Sequence, residues 1–185
     1  MGPLQGNGIG TDQRLMSIVH NPFSVSLPTS SLLPPEDDVT SLLPGPNSVS
    51  AHTAERLSAV PAVPGALIVL GLLRRDDSWP TPVSSLAAAT SVVARSLRGD
   101  DWLGRSGPNE FAVLMSGTAQ DAEVAATRLA ATITELGIPG LSACAGVVAL
   151  EEGTTAAETL RRATLSLHTA RSQGAGSVIR YRGTR

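Results

Sequence analysis

The sequence contains no lysine, and all 14 of its basic residues are arginine. Every cationic side chain is therefore a guanidinium, whose forked donors favour phosphate and carboxylate partners. The chain has one cysteine, Cys144, which excludes an intrachain disulfide and fits a reducing compartment, so we expect a cytoplasmic protein. Because Cys144 lies in an apolar run, it is predicted to be a small core residue and not a nucleophile.

Long apolar runs and strong net charge are also missing. No run approaches the roughly 20 residues that span a bilayer, and the N-terminus lacks the basic and apolar blocks of a signal peptide. A net charge of −2 at pH 7 argues against nucleic acid or an anionic membrane as a partner. The sequence has no zinc-ligand spacing, P-loop, Rossmann fingerprint or serine-nucleophile motif.

The first 35 residues differ in composition from the rest of the chain. Residues 1–35 are rich in glycine, proline, serine and asparagine and show little periodicity, which predicts a flexible extension or linker. A short helix over residues 11–20 is compatible with the spacing of the apolar residues there. Residues 36–185 are long enough to form one domain with a hydrophobic core.

The pattern in the rest of the chain predicts an α+β domain. The continuous apolar run 66–73 is typical of a central strand buried on both faces. The remaining periodicity predicts helices at 50–59, 83–97, 120–136 and 155–173 and strands at 101–106, 111–115, 141–150 and 177–182. The core order is βαββαβ, a ferredoxin-like or palm arrangement whose helices we expect on one face. We therefore predict a five-stranded, mainly antiparallel sheet with helices packed around it.

One ten-residue segment carries a recognisable motif. Residues 105–114 read R-S-G-P-N-E-F-A-V-L, which resembles the signature hairpin R-Y-G-G-D-E-F-A-x-L of GGDEF domains. By this resemblance the chain is identified as a degenerate GGDEF, or diguanylate cyclase-like, domain. The degenerate signature consists of Gly107, Pro108, Asn109, Glu110 and Phe111.

Further segments resemble other GGDEF motifs in the right order, over about residues 36–182. Residues 37–42 resemble the motif D-x-L-T-G-L that opens the domain, and residues 71–73 stand where the family has D-x-D. Residues 144–146 match its S-x-G strand, and residues 163–171 follow its last helix, A-D-x-A-L-Y-x-A-K. The resemblance implies the palm topology that the periodicity also predicts.

The departures from the family pattern bear on activity. GGDEF enzymes condense two GTP molecules into cyclic di-GMP with divalent metal held by a strand carboxylate and a motif carboxylate. Here the strand position is Gly71, the first motif acid is Asn109, and Glu110 alone remains. The Asn-Asp pair that reads guanine is missing, and Arg171 replaces the phosphate-contacting lysine of the last helix. These losses imply a domain without catalytic or metal-binding residues, which needs no cofactor.

A product-binding motif of the family is retained. Many diguanylate cyclases carry R-x-x-D five residues before the signature, and Arg98 and Asp101 match it at that distance. A guanidinium forks onto the O6/N7 edge of guanine or onto phosphate, and a carboxylate accepts from the guanine N1–H and N2–H groups. Arg105, or an arginine of a second subunit, would close this cyclic di-GMP site. In the alternative interpretation, Arg98 closes a helix and Asp101 solvates a turn.

Structural roles are expected for several single residues. Glu110 is expected to be a solvated carboxylate at the hairpin tip, and His168, which replaces the family's helix tyrosine, to pack against the core. Trp102 is expected to pack beside the hairpin, and Trp79 to cover the vacated nucleotide pocket.

Three functions are left open. The first is an inactive regulatory module that acts through an unknown protein partner or a homodimer. The second is a cyclic di-GMP receptor, and the first two are compatible with each other. The third is an active diguanylate or nucleotidyl cyclase with unusual metal ligation, which alone would require Mg²⁺.

Overall fold

The protein is described by a computed structural model that covers residues 42–60, 62–75 and 81–183. The predicted helix at 11–20, the predicted boundary near residue 35, most of the motif at 37–42 and Trp79 lie outside these residues. Predictions on those parts of the chain therefore stay predictions.

Five strands form one sheet in the order β2-β3-β1-β4-β5. The pairs β2–β3, β3–β1 and β1–β4 are antiparallel, and β4 and β5 pair in parallel. The predicted five-stranded, mainly antiparallel sheet is thus confirmed, with the apolar strand at its centre. The strands are β1 (Gly65–Arg74), β2 (Trp102–Gly107), β3 (Glu110–Ser116), β4 (Leu141–Ala149) and β5 (Val178–Arg180).

Four helices cover both faces of the sheet: α1 (Pro46–Ser58), α2 (Val83–Ser96), α3 (Ala119–Glu135) and α4 (Ala156–Gln173). From β1, Ile68 and Leu70 pack with α2 and α3, whereas Leu67 and Val69 pack with α1 and α4. The expectation that all helices cover one face was wrong. Helices α2 and α3 cover one face of the sheet, and α1 and α4 cover the other. Two-sided burial explains why β1 is apolar at every position and does not alternate.

Local sequence accounts for where three of the helices described begin. Thr118 and Asp121 form a capping box at the start of α3, and Thr155 caps α4 by accepting from the Glu158 amide. The start of α1 comes four residues before the predicted one, because Pro46 occupies its first position, where a proline costs no hydrogen bond. Among the helices described, none is long and apolar enough to cross a membrane.

The hairpin between β2 and β3 turns through only two residues, Pro108 and Asn109, with Gly107 paired to Glu110. Asn109 has φ +57°, a left-handed conformation that asparagine tolerates better than most residues. Asn109 therefore suits the geometry of this turn. The turn makes Glu110 the first residue of β3, where it pairs with Gly71 of β1.

The close approach of α4 to β4 depends on Gly146. A Cβ on this residue would lie 2.2 Å from the carbonyl oxygen of Ala163 and 2.4 Å from the amide nitrogen of Leu167. Both are backbone atoms and cannot rotate away, so the helix would have to move. We expect Gly146→Ala to lower the free energy of unfolding by about 3 kcal/mol, measured by urea denaturation.

The matched control for this prediction is Gly99→Ala. A Cβ at Gly99 meets no atom within 4 Å, and we expect a change of no more than about 0.5 kcal/mol. Equal stability of the two variants would contradict the packing of α4 on β4 described above.

Candidate functional site

Glu110 and Arg171 form an ion pair at the tip of the signature hairpin. Nη2 of Arg171 lies 2.8 Å from Oε1 of Glu110, and the two side chains are only 28% and 18% exposed. The expectation of a solvated Glu110 was therefore wrong. Its carboxylate has a fixed cationic partner from α4, which lies 61 residues away along the chain.

The same guanidinium occupies the space beside Gly71. A Cβ on Gly71 would lie 2.8 Å from Nη2 of Arg171 and 3.0 Å from Cδ1 of Leu167. Any side chain at this strand position would have to displace Arg171 or Leu167. The strand position, the motif glutamate and the helix arginine thus meet at one point.

Cys144 of β4 lies on the other side of Gly71 and is fully buried. Its Sγ is 3.8 Å from the carbonyl oxygen of Gly71. Burial raises the pKa of the Cys144 thiol, nearby Arg171 partly offsets this, and Glu110 adds to it. A buried thiol with a raised pKa is a poor nucleophile, so Cys144 is confirmed as a core residue.

A second candidate site surrounds the turn 98–101. The Asp101 carboxylate accepts from the backbone N–H of Arg98 at 2.9 Å, and the Asp101 N–H donates to the Arg98 carbonyl at 3.1 Å. Asp101 therefore stabilises the turn through hydrogen bonds and is not merely a solvent-exposed carboxylate. The Arg98 side chain is exposed.

Arg98 and Asp101 line a cavity of about 320 Å³ between the end of α2, the end of β3 and α3. Its floor is apolar and includes Ile68 of β1. The structure adds two charged residues of α3 to the lining, Asp121 and Arg128. We call this space the Arg98 cavity. It has the size of a small-molecule site, and four charged residues line it.

The charged groups of α3 are held in place. Nη2 of Arg128 donates to the carbonyl of Ser96 at 3.3 Å. The Thr118 hydroxyl and backbone N–H, helped by nearby Arg98, hold the pKa of Asp121 below its usual value. Asp121 is therefore ionised at neutral pH, and the cavity presents two guanidiniums and two carboxylates.

Other predicted site residues lie elsewhere. Arg105 is on β2, paired with Phe111, and does not line the Arg98 cavity. His168 is exposed on α4, so its predicted core packing was wrong. Trp102 packs against the core beside the hairpin, as predicted, with its ring 4.5 Å from that of His52.

Comparison with known proteins identifies the family. The sequence model of the diguanylate cyclase GGDEF domain matches residues 84–177, which is half of the chain. The chain belongs to the GGDEF domain family. Comparison with curated proteins found no match.

Solved GGDEF domains share the fold. The active GGEEF domain of a Vibrio cholerae diguanylate cyclase is 18% identical with a TM-score of 0.66, over 77% of this chain and 99% of that one. The GGDEF domain of DgcB from Caulobacter crescentus, in complex with cyclic di-GMP, is 16% identical with a TM-score of 0.65, over 76% and 92%. SiaD from Pseudomonas aeruginosa, in complex with its activator SiaC, is 22% identical with a TM-score of 0.65, over 77% and 60%.

The divalent metal that the GGDEF family implies does not fit these residues. The described parts of the chain contain no group of three or more His, Cys, Asp or Glu side chains that could hold a metal ion. At the family's metal position, this GGDEF domain has one carboxylate, that of Glu110, already paired with Arg171. A guanidinium at that point repels a divalent cation and occupies the oxygen ligands that the cation would need.

Proposed function

We propose that this GGDEF domain makes no cyclic di-GMP and acts as a regulatory module that binds cyclic di-GMP in the Arg98 cavity. The observation that carries the proposal is the placement of Arg171. Its guanidinium pairs with Glu110 and lies against Gly71, at the point where a cyclase needs metal.

The loss of catalysis follows from charge. Condensation of GTP requires neutralisation of the triphosphate and a lowered pKa of the attacking hydroxyl, and a divalent cation supplies both. Arg171 brings a single positive charge, and Glu110 already neutralises it. A guanidinium also has no open coordination position at which to activate a hydroxyl.

The charged residues that line the Arg98 cavity suit cyclic di-GMP. Arg98 and Arg128 supply forked donors for phosphate or for the O6/N7 edge of guanine, and Asp101 and Asp121 supply acceptors for guanine N–H groups. The DgcB GGDEF domain, which shares the fold, was solved in complex with cyclic di-GMP.

A protein partner is the second part of the proposal. SiaD, another structural relative, was solved with its activator SiaC. A domain that binds a signal but does not make it needs a partner, or a second copy of itself, to pass that signal on.

Calorimetry on the purified full chain tests the proposal. We expect saturable heat with cyclic di-GMP and no product from GTP with Mg²⁺. Product formation would support a cyclase with unusual metal ligation instead. Absence of cyclic di-GMP binding would remove the receptor function and leave the protein-interaction role, which pull-down of partners would then test.

A further inference from the structure

Arg56 of α1 connects two segments that border the Arg98 cavity without itself lining it. Its Nη1 donates to the Ser116 hydroxyl at 2.9 Å, and its Nη2 donates to the Asp100 carbonyl at 2.7 Å. Ser116 ends β3 and lines the cavity, whereas Asp100 belongs to the turn that carries Arg98 and Asp101. One guanidinium therefore ties the turn to the sheet.

The turn is largely exposed and bonds mainly to itself within the part of the chain that the structure describes. Residues 98–100 are exposed, and the two hydrogen bonds between Arg98 and Asp101 close the turn on itself without attaching it to the sheet. A Cβ on Gly99 would meet no atom within 4 Å, so no side chain packs over the turn there. The Arg56 guanidinium therefore bonds to the turn at Asp100 and to the sheet at Ser116, and so links the turn to the rest of the domain.

The position of Arg56 also links the cavity to α1. On the far side of the turn lies a groove of about 420 Å³, lined by Arg56, His52, Asp101 and Trp102, among others. Asp101 lines both this groove and the Arg98 cavity, so the turn forms the wall between them. A shift of α1 would therefore move Arg56, and with it the wall of the ligand cavity.

We propose that Arg56 is a positioning residue, which holds the turn 98–101 in the conformation that binds ligand and couples the Arg98 cavity to α1. The coupling rests on the proposed function, whereas the positioning does not. A preordered turn pays less conformational entropy on binding, which raises affinity without any contact to the ligand. By reciprocity, a ligand in the cavity stabilises the Arg56 contacts to the same extent.

Amide hydrogen exchange followed by NMR tests the positioning without ligand. In Arg56→Ala we expect the amides of Arg98 and Asp101 to exchange about tenfold faster, because their turn is released, with the amides of β1 unchanged. Ser116→Ala removes one of the two acceptors and should give a smaller increase. Arg56→Lys keeps the charge and one donor nitrogen but loses the fork, so it should restore part of the protection. Arg95→Ala, an exposed arginine in the last turn of α2, is the matched control.

Calorimetry with cyclic di-GMP tests the coupling. We expect Arg56→Ala to bind about tenfold more weakly than wild type, with Arg56→Lys in between and Arg95→Ala unchanged. Unchanged exchange at Arg98 and Asp101, or equally faster exchange in β1, would overturn the positioning role. If wild type does not bind cyclic di-GMP, the proposed function fails, and the exchange measurement still decides the role of Arg56. If wild type binds and Arg56→Ala binds equally well, the coupling is overturned.

Discussion

Purified protein supplied with GTP and Mg²⁺ or Mn²⁺ is expected to form no cyclic di-GMP, and Gly71→Asp is expected not to restore synthesis. The Cβ of the new Asp would lie 2.8 Å from Nη2 of Arg171, so we expect its carboxylate to pair with that guanidinium once the arginine side chain has shifted. The variant would therefore gain an ion pair and not a metal ligand. The guanine-reading pair of the family would still be missing.

Chromatography of the reaction mixture measures this result, with Glu110→Ala as the background control. Because Glu110 is the one signature carboxylate left, a cyclase with unusual metal ligation would have to use it. Product from wild type above the Glu110→Ala background would refute the inactive assignment.

Measurements of Mn²⁺ binding test whether the charge of Arg171 excludes metal, independently of the missing guanine-reading residues. We expect Gly71→Asp alone to bind Mn²⁺ no better than wild type. Gly71→Asp combined with Arg171→Met frees two carboxylates and removes the repelling charge, so its Mn²⁺ affinity should rise by at least about tenfold. Arg161→Met in the Gly71→Asp background is the matched control, since Arg161 lies on the same helix and pairs with Glu158. Equal Mn²⁺ affinity in all these variants would show that Arg171 is not what excludes the metal.

The fold was predictable where one physical signal dominates. Residues 66–73 are apolar without alternation, and a strand in that pattern must be buried on both faces, as β1 is. The same pattern also argues for helices on both faces of the sheet. The prediction placed them on one face because it assumed a simple βαββαβ core. The start of α1 was missed because its N-cap, Gly45, makes no side-chain capping bond.

The candidate site was predictable only where its residues are close in sequence. Arg98 and Asp101 are three residues apart, and their spacing identified the turn. Asp121 and Arg128 are seven apart and so share a face of α3, but only the sheet topology brings that face to the turn. The pairing of Arg171 with Glu110 spans 61 residues and depends on how α4 crosses the sheet. Long-range contacts of this kind leave no local pattern.

Arg98→Ala is expected to weaken cyclic di-GMP binding by about ten- to a hundredfold or more in calorimetry. A charge-assisted hydrogen bond to the ligand contributes roughly 1.5–3 kcal/mol, which converts to that range. Asp101→Ala should have a comparable effect for two reasons. It removes an acceptor for the guanine edge, and it releases the Arg98 backbone N–H that closes the turn.

Two further variants test whether the cavity as a whole is the site. Arg128→Ala should weaken binding by a similar factor, because Arg128 supplies the second guanidinium of the lining. Arg105→Ala should leave affinity unchanged in a one-to-one complex, since Arg105 does not line the cavity. A loss in Arg105→Ala equal to that in Arg98→Ala would show that Arg105 helps to close the site, as the sequence predicted.

The controls separate this site from the signature hairpin. Arg95→Ala removes an exposed arginine from the same helix end that leads to Arg98, and it should bind like wild type. Glu110→Ala should also bind like wild type, because Glu110 belongs to the ion pair with Arg171 and does not line the cavity. Raised salt should weaken binding in wild type more than in Arg98→Ala, since screening acts on the contact that the variant lacks. Unchanged affinity in Arg98→Ala would eliminate the Arg98 cavity as the cyclic di-GMP site, whatever the other variants do.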